Sequence, residues 1–333
     1  MVFLQLFFML VVILIAAEVF TNALEHLGEK LKISEGVTGS LFAAVGTALP
    51  ETSIPILALF AGTQNVQVNE EIGVGAILGA PLMLATLSIS IMAFAVLAKR
   101  GATGRFNPEK TGVTRDLDFF MMAFLFAAIA LYIPHTQTLV RGALGGVMVL
   151  IYVFYIILTI RASKLLVSEG HGTEAEHAMF LCRLGLPNNL PVILLQLVLG
   201  LGLLVGGAKG FIHGIDAASQ IMGISALLLS LLIIPIATEL PEKINSVLWA
   251  RRGKDTLAFG NITGALVFQG TLLPAIGIML TPWEPRLEVL AGLVITLLAA
   301  VWLRICIAKG GIKVWHLWIN GLMYLIYLAI ALS

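Results

Sequence analysis

Apolar runs of 17 or more residues recur along the whole of this 333-residue chain, separated by short stretches that hold most of its charge. Hydrocarbon offers no water to backbone amides, so a segment that crosses it must satisfy its own hydrogen bonds. Runs of this length read as membrane-spanning helices. With 59% hydrophobic and 12% charged residues, and a mean hydropathy of +1.00, the chain has the composition of a polytopic membrane protein. The first run, from Val2 to about Ala23, has no basic residue ahead of it and no small-residue cleavage site, so it is expected to be a retained span. A formal net charge of +1 leaves no footprint for nucleic acid. Cys182 and Cys306 are too few and too far apart for a disulfide framework.

Apolar runs bounded by charged, Gly or Pro-containing loops give ten expected spans: 3–25, 37–61, 72–98, 118–134, 138–161, 190–212, 225–250, 256–280, 287–307 and 313–332. Short cytoplasmic loops carry an excess of Lys and Arg, which tests the count. Sixteen of the twenty basic residues follow odd-numbered spans. Only Arg141, Lys209 and Arg286 fall on the other side, and Lys243 lies inside the seventh span. Both termini are therefore expected on the non-cytoplasmic side, with the chain in the cell (inner) membrane.

The longest polar stretch, at 168–189, separates two groups of five spans and reads as a linker. Its HGTEAEH segment places His171, Glu174, Glu176 and His177 close together, but the spacing matches no metal template, and a solvated acidic loop is favoured. The two groups are related. GTALPE at 46–51 recurs as ATELPE at 237–242, a shift of 191 that also pairs Ala17 with Ala208 and Phe20 with Phe211. GAILGAPLMLATL at 75–87 lies over GNITGALVFQGTL at 260–272 at a shift of 185. A repeat of five spans, an odd number, enters the membrane from the opposite face in its second copy, and such inverted repeats hold their substrate where interrupted helices meet near the midplane.

The interruptions are Pro50 and Pro55 in the second span, and Pro235 and Pro241 in the seventh. Pro50 frees the carbonyl of Gly46, and Pro241 that of Ala237. Free carbonyls beside Thr and Glu side chains offer oxygen ligands to a hard cation. Glu239, Glu242 and Lys243 within five residues of an apolar span call for a function by default. Glu239 and Lys243 are four apart, the spacing of an internal ion pair. Glu18 and Lys209 occupy equivalent places in the first and sixth spans, where each could face water or snorkel toward the headgroups. Gly73, Gly75, Gly79, Gly260 and Gly264 recur at helix-packing spacing, with no strand ahead of them to suggest a phosphate loop.

The paired motifs, GTALPE with GVGAILGAPLMLATL and ATELPE with FGNITGALVFQGTL, resemble the two alpha-repeats of the sodium/calcium exchanger (calcium/cation antiporter) superfamily. The resemblance covers nearly the whole chain. It implies a core of the second, third, seventh and eighth spans around a central cation site, with the first and sixth moving against it, and on that model Glu18 and Lys209 could pair as part of a gate. Glu51 and Glu242 correspond to its principal ligands, and Thr47 and Thr238 to its motif threonines. Glu239 would add a third carboxylate. The chain departs from the family pattern at Ala48 and Glu239, where a serine is usual, and at Ala80 and Ala265. Leu84 and Gln269 replace acidic or amide ligands; Gln269 is kept in the cation-binding set.

These features predict an all-α polytopic membrane protein of ten transmembrane helices in two inverted five-helix repeats, 1–165 and 190–333, joined by a cytoplasmic linker at 166–189. The expected activity is secondary antiport of calcium or another divalent cation against sodium or protons, with no cofactor and with inorganic cations and the lipid bilayer as partners. The alternative from a different class is a non-transporting sensor or interaction protein on a degenerate exchanger scaffold.

Overall fold

The computed structural model describes residues 1–30, 49–164 and 178–333. Its regular structure is helical, apart from one antiparallel pair of two-residue strands. The helices are α1 (Val2–Lys30), α2 (Leu49–Ala61), α3 (Val66–Arg100), α4 (Lys110–Ala130), α5 (Thr138–Lys164), α6 (Leu190–Met222), α7 (Ala226–Thr238), α8 (Leu240–Arg251), α9 (Asp255–Leu280), α10 (Leu287–Ala308) and α11 (Val314–Ala331), with a single turn at Phe180–Arg183. The strands are β1 (Arg105–Phe106) and β2 (Ile312–Lys313). Among the described residues, α1, α3, α5, α6, α9, α10 and α11 are long and apolar enough to cross a bilayer, and α2 and α7 carry shorter apolar stretches.

Local chemistry sets the boundaries. The fourth helix starts eight residues before its expected span, because the Glu109 carboxylate accepts the Thr111 and Gly112 N–H groups and caps it. Asn189 caps α6 through Val192 N–H at 3.1 Å. That helix runs ten residues past its expected end, to Gly223, whose φ of +67° suits glycine and stops the helix. In α3 a π-turn at Leu84–Ser88 interrupts the ladder. The seventh span is two helices rather than one, α7 and α8, which meet at Glu239.

The helices fall into two compact units, one of residues 1–69 and 160–223, the other of 70–159 and 224–333. In the first, α1 and α6 lie antiparallel along a glycine seam. A Cβ on Gly200 would meet Phe20, on Gly207 Ile13, on Gly210 Met9 and on Gly214 Leu6, so the partner in α1 recedes as α6 advances. Small residues at this spacing let two backbones approach closely. Polar groups close the end of the seam: Gln196 donates to Val19 O and Asn22 Oδ1, both at 3.0 Å. Phe180 N–H and Leu181 N–H donate to Asn22 and Gln196, so this part of the expected linker is docked on α1 and α6. The remaining helix of this unit, α2, packs on α6.

In the second unit α4 packs on α9 and α10, and α11 on α3 and α10, around a core that includes Phe106, Phe120, Phe124, Phe259 and Trp283. Its two ends are closed differently. At one, Arg100 holds Asp255 through two hydrogen bonds of 2.9 and 2.7 Å and donates to Ala250 O, while β1 pairs with β2. This gathers the loops after α3, α8 and α10, which the basic-residue alternation places on one face. At the other, buried Arg141 donates to the carbonyls of Ile133, Ile278, Thr281 and Pro282. Arg286 binds Glu71 at 2.7 Å and Glu288 at 2.8 Å there.

Replacing Gly207 with Leu should cost on the order of 1–3 kcal/mol by overpacking the seam. Gly202→Leu, where a Cβ meets nothing within 4 Å, should be tolerated; thermal unfolding in detergent reads both. By the same measurement Arg141→Met, which leaves four carbonyls without their donor, should lose roughly 3 kcal/mol. The two amides at Glu109, that of Gly112 above all, hold its carboxyl below the usual range. Its contribution is therefore present above the unfolded carboxyl value and is lost as pH falls through the lower folded one. Glu109→Gln should flatten that acid limb of the stability profile.

Candidate cation site

Two prolines break the helix that carries the second motif. Pro235 has no N–H for the carbonyl of Leu231, and Pro241 has none for that of Ala237. With both donors missing, α7 ends at Thr238 and α8 starts at Leu240; Glu239, at φ −87° and ψ 8°, joins them. Glu239 is fully buried, with 0% of its surface exposed. Lys243 Nζ reaches back across the break, donating to Pro235 O at 2.9 Å and lying 3.5 Å from Glu239 Oε2. The expected i, i+4 ion pair is present, with only 7% of the lysine exposed. Buried Thr238 turns its hydroxyl onto Ile234 O at 3.0 Å.

Helix α3 packs closely on this segment. A Cβ on Gly75 would collide with Ser230 Oγ and Leu227 O, and one on Gly79 with Leu231 O and the Pro235 ring. The carbonyl that Pro235 deprives of its donor is thus the one Gly79 covers. One turn further, Leu84 begins the π-turn and is fully buried. Asn320 of α11 donates to Ala85 O at 2.7 Å and to Ala299 O at 3.2 Å, which holds the π-turn against α10 and α11. In the corresponding part of α9, Gln269 is 3% exposed, and its Oε1 accepts no hydrogen bond among the described residues. The equivalent threonines, Thr86 and Thr271, both donate to the carbonyl four residues back.

Other expected site residues are placed as follows. Gly46, Thr47 and Ala48, and the HGTEAEH segment, lie outside the described residues. Pro50 and Glu51 are the second and third residues of α2, and Glu51 is 3% exposed, in the first unit. Ala237 is the penultimate residue of α7, and Pro241 and Glu242 are the second and third of α8, in the second unit with Thr238, Glu239, Lys243 and Gln269. Among the described residues no group of three His, Cys, Asp or Glu side chains gathers around a common point.

The structure does not pair Glu18 with Lys209. Both are exposed, and the antiparallel seam sets Lys209 near the level of Met9, nine residues or about 13 Å along α1 from Glu18 at 1.5 Å per residue. The equivalence across the repeat was legible, but the register of α1 on α6 was not.

Two buried polar residues went unremarked in the sequence. Asp116 accepts Thr263 Oγ1 at 2.7 Å and Tyr155 OH at 3.1 Å, tying α4, α9 and α5 together. Asn320 clamps the π-turn. Asn320 stands among apolar neighbours in its helix, and that was the available signal, whereas Asp116 sits beside Arg115 and Asp118 and nothing in the sequence set it apart from them.

The family model for the sodium/calcium exchanger protein matches residues 1–161 and 192–333. The chain belongs to the sodium/calcium exchanger family. A relative from Alkalimonas amylolytica named as a candidate antiporter, CaxA, is 24% identical over 282 residues, 82% of this chain and 79% of that one. The fold is shared with the H+/Ca2+ exchanger CAX, at a TM-score of 0.71 and 17% identity over 98% of this chain and 82% of that one. It is shared also with the sodium-calcium exchanger NCX_Mj, at 0.56 and 18%, over 99% of each chain.

The two related glycine stretches are not packed alike. A Cβ on Gly260 meets nothing within 4 Å, and one on Gly264 only Tyr155 OH at 4.0 Å. Gly79→Ala should therefore destabilise the protein by about 1–3 kcal/mol. The equivalent Gly264→Ala should be neutral or slightly stabilising in the same thermal unfolding assay.

Proposed function

We propose that this chain is a secondary antiporter that exchanges calcium or another divalent cation for sodium or protons by alternating access. Ten membrane crossings in two inverted halves, with both termini outside the cytoplasm, complete the reading. The observation that carries it is the helix break at Glu239. A fully buried carboxylate there, with Thr238 beside it and the carbonyls at Ala237 and Leu231 deprived of their helix donors by prolines, concentrates oxygen where a hard cation could be held. Family membership and the two stretches matched by the family model support the rest.

Glu51 and Glu242 are the carboxylates we assign to the transported cation, with Thr47 and Thr238 as hydroxyl ligands and Gln269 as an amide oxygen. Ala80, Leu84 and Ala265 contribute no side-chain oxygen, which weakens sodium coordination in particular. The α1–α6 pair packs largely on itself along its glycine seam, as suits two helices that move together. In this chain α2 packs on α6 within that unit, whereas the family pattern assigns it to the core.

The Glu239–Lys243 pair also favours a second reading, a scaffold whose site has closed on itself and moves nothing. Proteoliposomes separate the two. Calcium uptake driven by an outward proton or sodium gradient, and reduced to background by Glu51→Gln or Glu242→Gln, is the expected result, and the effective gradient names the counter-ion. If calcium, manganese, magnesium and potassium are all unmoved under either gradient, the antiporter reading is wrong.

A further inference from the structure

The ribbon of β1 and β2 in the second unit sets two like charges face to face. Arg105 lies directly opposite Lys313, and Phe106 opposite Ile312. Phe106 and Ile312 are fully buried, and Phe106 packs edge-on against Phe259. Side chains alternate along a strand, so Arg105 and Lys313 share the other face of the ribbon, the first exposed and the second half-buried. Like charges directly opposed destabilise an antiparallel pair. An acid would relieve them, but the acids at this end of the unit are engaged elsewhere: Asp255 with Arg100, Asp118 with Arg304, Asp116 with Thr263 and Tyr155, and Glu109 with amides of its own helix. Among the described residues neither Arg105 nor Lys313 forms an ion pair.

The backbone fixes this pair in place. Val314 N–H donates to Gly104 O at 2.9 Å and Trp315 N–H to Ala102 O at 3.1 Å, while the Arg100 guanidinium donates to Arg105 O at 3.2 Å. The ribbon connects the end of α3 at Arg100 to the start of α11 at Val314, and both helices are long and apolar enough to cross a bilayer. It therefore lies where spans meet the headgroups. Exposed Trp315 follows the ribbon at once, with its ring 6.4 Å from that of Trp302, and tryptophan favours that level of a membrane.

We propose that the outer face of this ribbon binds the headgroup phosphate of an anionic phospholipid, with Arg105 and Lys313 as its cationic contacts. A guanidinium takes two phosphate oxygens side by side and an ammonium acts as a point charge, so the pair suits one phosphodiester. Basic clusters next to a span attract anionic lipid for the same electrostatic reason. The bound phosphate replaces repulsion across the ribbon with attraction to a shared anion, and so ties the α3–α4 connection to the α10–α11 connection. A zwitterionic headgroup brings its own cation against the pair and is disfavoured.

The test is thermal unfolding of the full chain in detergent micelles carrying either dioleoyl-phosphatidylglycerol or dioleoyl-phosphatidylcholine. Phosphatidylglycerol should raise the wild-type midpoint by roughly 3–5 °C over phosphatidylcholine. Arg105→Gln should reverse its rank between the two lipids. With the repulsion relieved it should match or exceed the wild type in phosphatidylcholine, and with the site lost it should fall below the wild type in phosphatidylglycerol. Lys313→Gln should do the same, and Arg105→Lys should keep most of the gain. Arg252→Gln removes an exposed charge from this end of the unit but off the ribbon, and should keep the gain in full. Absence of a gain in the wild type would overturn the site. So would a gain that survives Arg105→Gln/Lys313→Gln, one lost equally in Arg252→Gln, or an Arg105→Gln destabilised alike in both lipids. An equal gain from inorganic phosphate added to the phosphatidylcholine sample would overturn the lipid as occupant. All of these outcomes are independent of whether the chain transports a cation.

Discussion

A backbone carbonyl inside an apolar helix that loses its amide partner must find another donor or be shielded, because no water is at hand to replace it. Much of the second unit is organised around that requirement. The π-turn in α3 exposes Ala85 O, and Asn320 takes it up. The end of α9 leaves Ile278, Thr281 and Pro282 with free carbonyl oxygens, and one buried arginine collects all three. Trp283 Nε1 serves Ala127 O at 3.0 Å, close to the end of α4. At the break between α7 and α8, Gly79 lies over Leu231 O, whose donor Pro235 removes, while Pro235 O keeps the Glu239 N–H at 3.3 Å and takes Lys243 as a second donor. The helix interruptions that make a cation site possible are the same features that demand these polar clamps.

The two halves solve this differently, although their sequences are related. On the α3 side, glycines admit close packing against α7, and a leucine starts the π-turn. In α9 the corresponding glycines have open space, and Gln269 brings a buried amide oxygen that accepts no hydrogen bond among the described residues. The Thr86 and Thr271 back-bonds are what remains of the symmetry at this depth. The two stretches therefore share glycines and threonines at matching places, while the buried ion pair lies at the second motif, between Glu239 and Lys243.

The helical class, the break at Glu239 between Pro235 and Pro241 and the Glu239–Lys243 pairing were legible in the sequence, because each is set by contacts within a few residues, whereas α2 runs through Pro55 without the expected interruption. Pro235 and Pro241 remove donors regardless of context, and i, i+4 spacing places one side chain over the other. Boundaries set by caps were less accessible: Glu109 extends α4 and Gly223 allows α6 to run long. Tertiary choices were not legible. Nothing local to Leu84–Ser88 announces a π-turn, since Asn320 stabilises it from more than 200 residues away. Nor could the sequence place Lys209 relative to Glu18, because the register of the α1–α6 seam depends on which glycine meets which side chain.

The reading proposed for this chain has carboxylates of the two motifs bind the transported cation, and its most direct test is to locate that cation. Crystals of the protein grown with manganese and measured at the metal's absorption edge should show one strong anomalous peak, bonded to carboxylate oxygens of Glu51 and Glu242 and absent in Glu242→Gln. A peak only at surface carboxylates, or the same peak surviving in the mutant, would contradict the account.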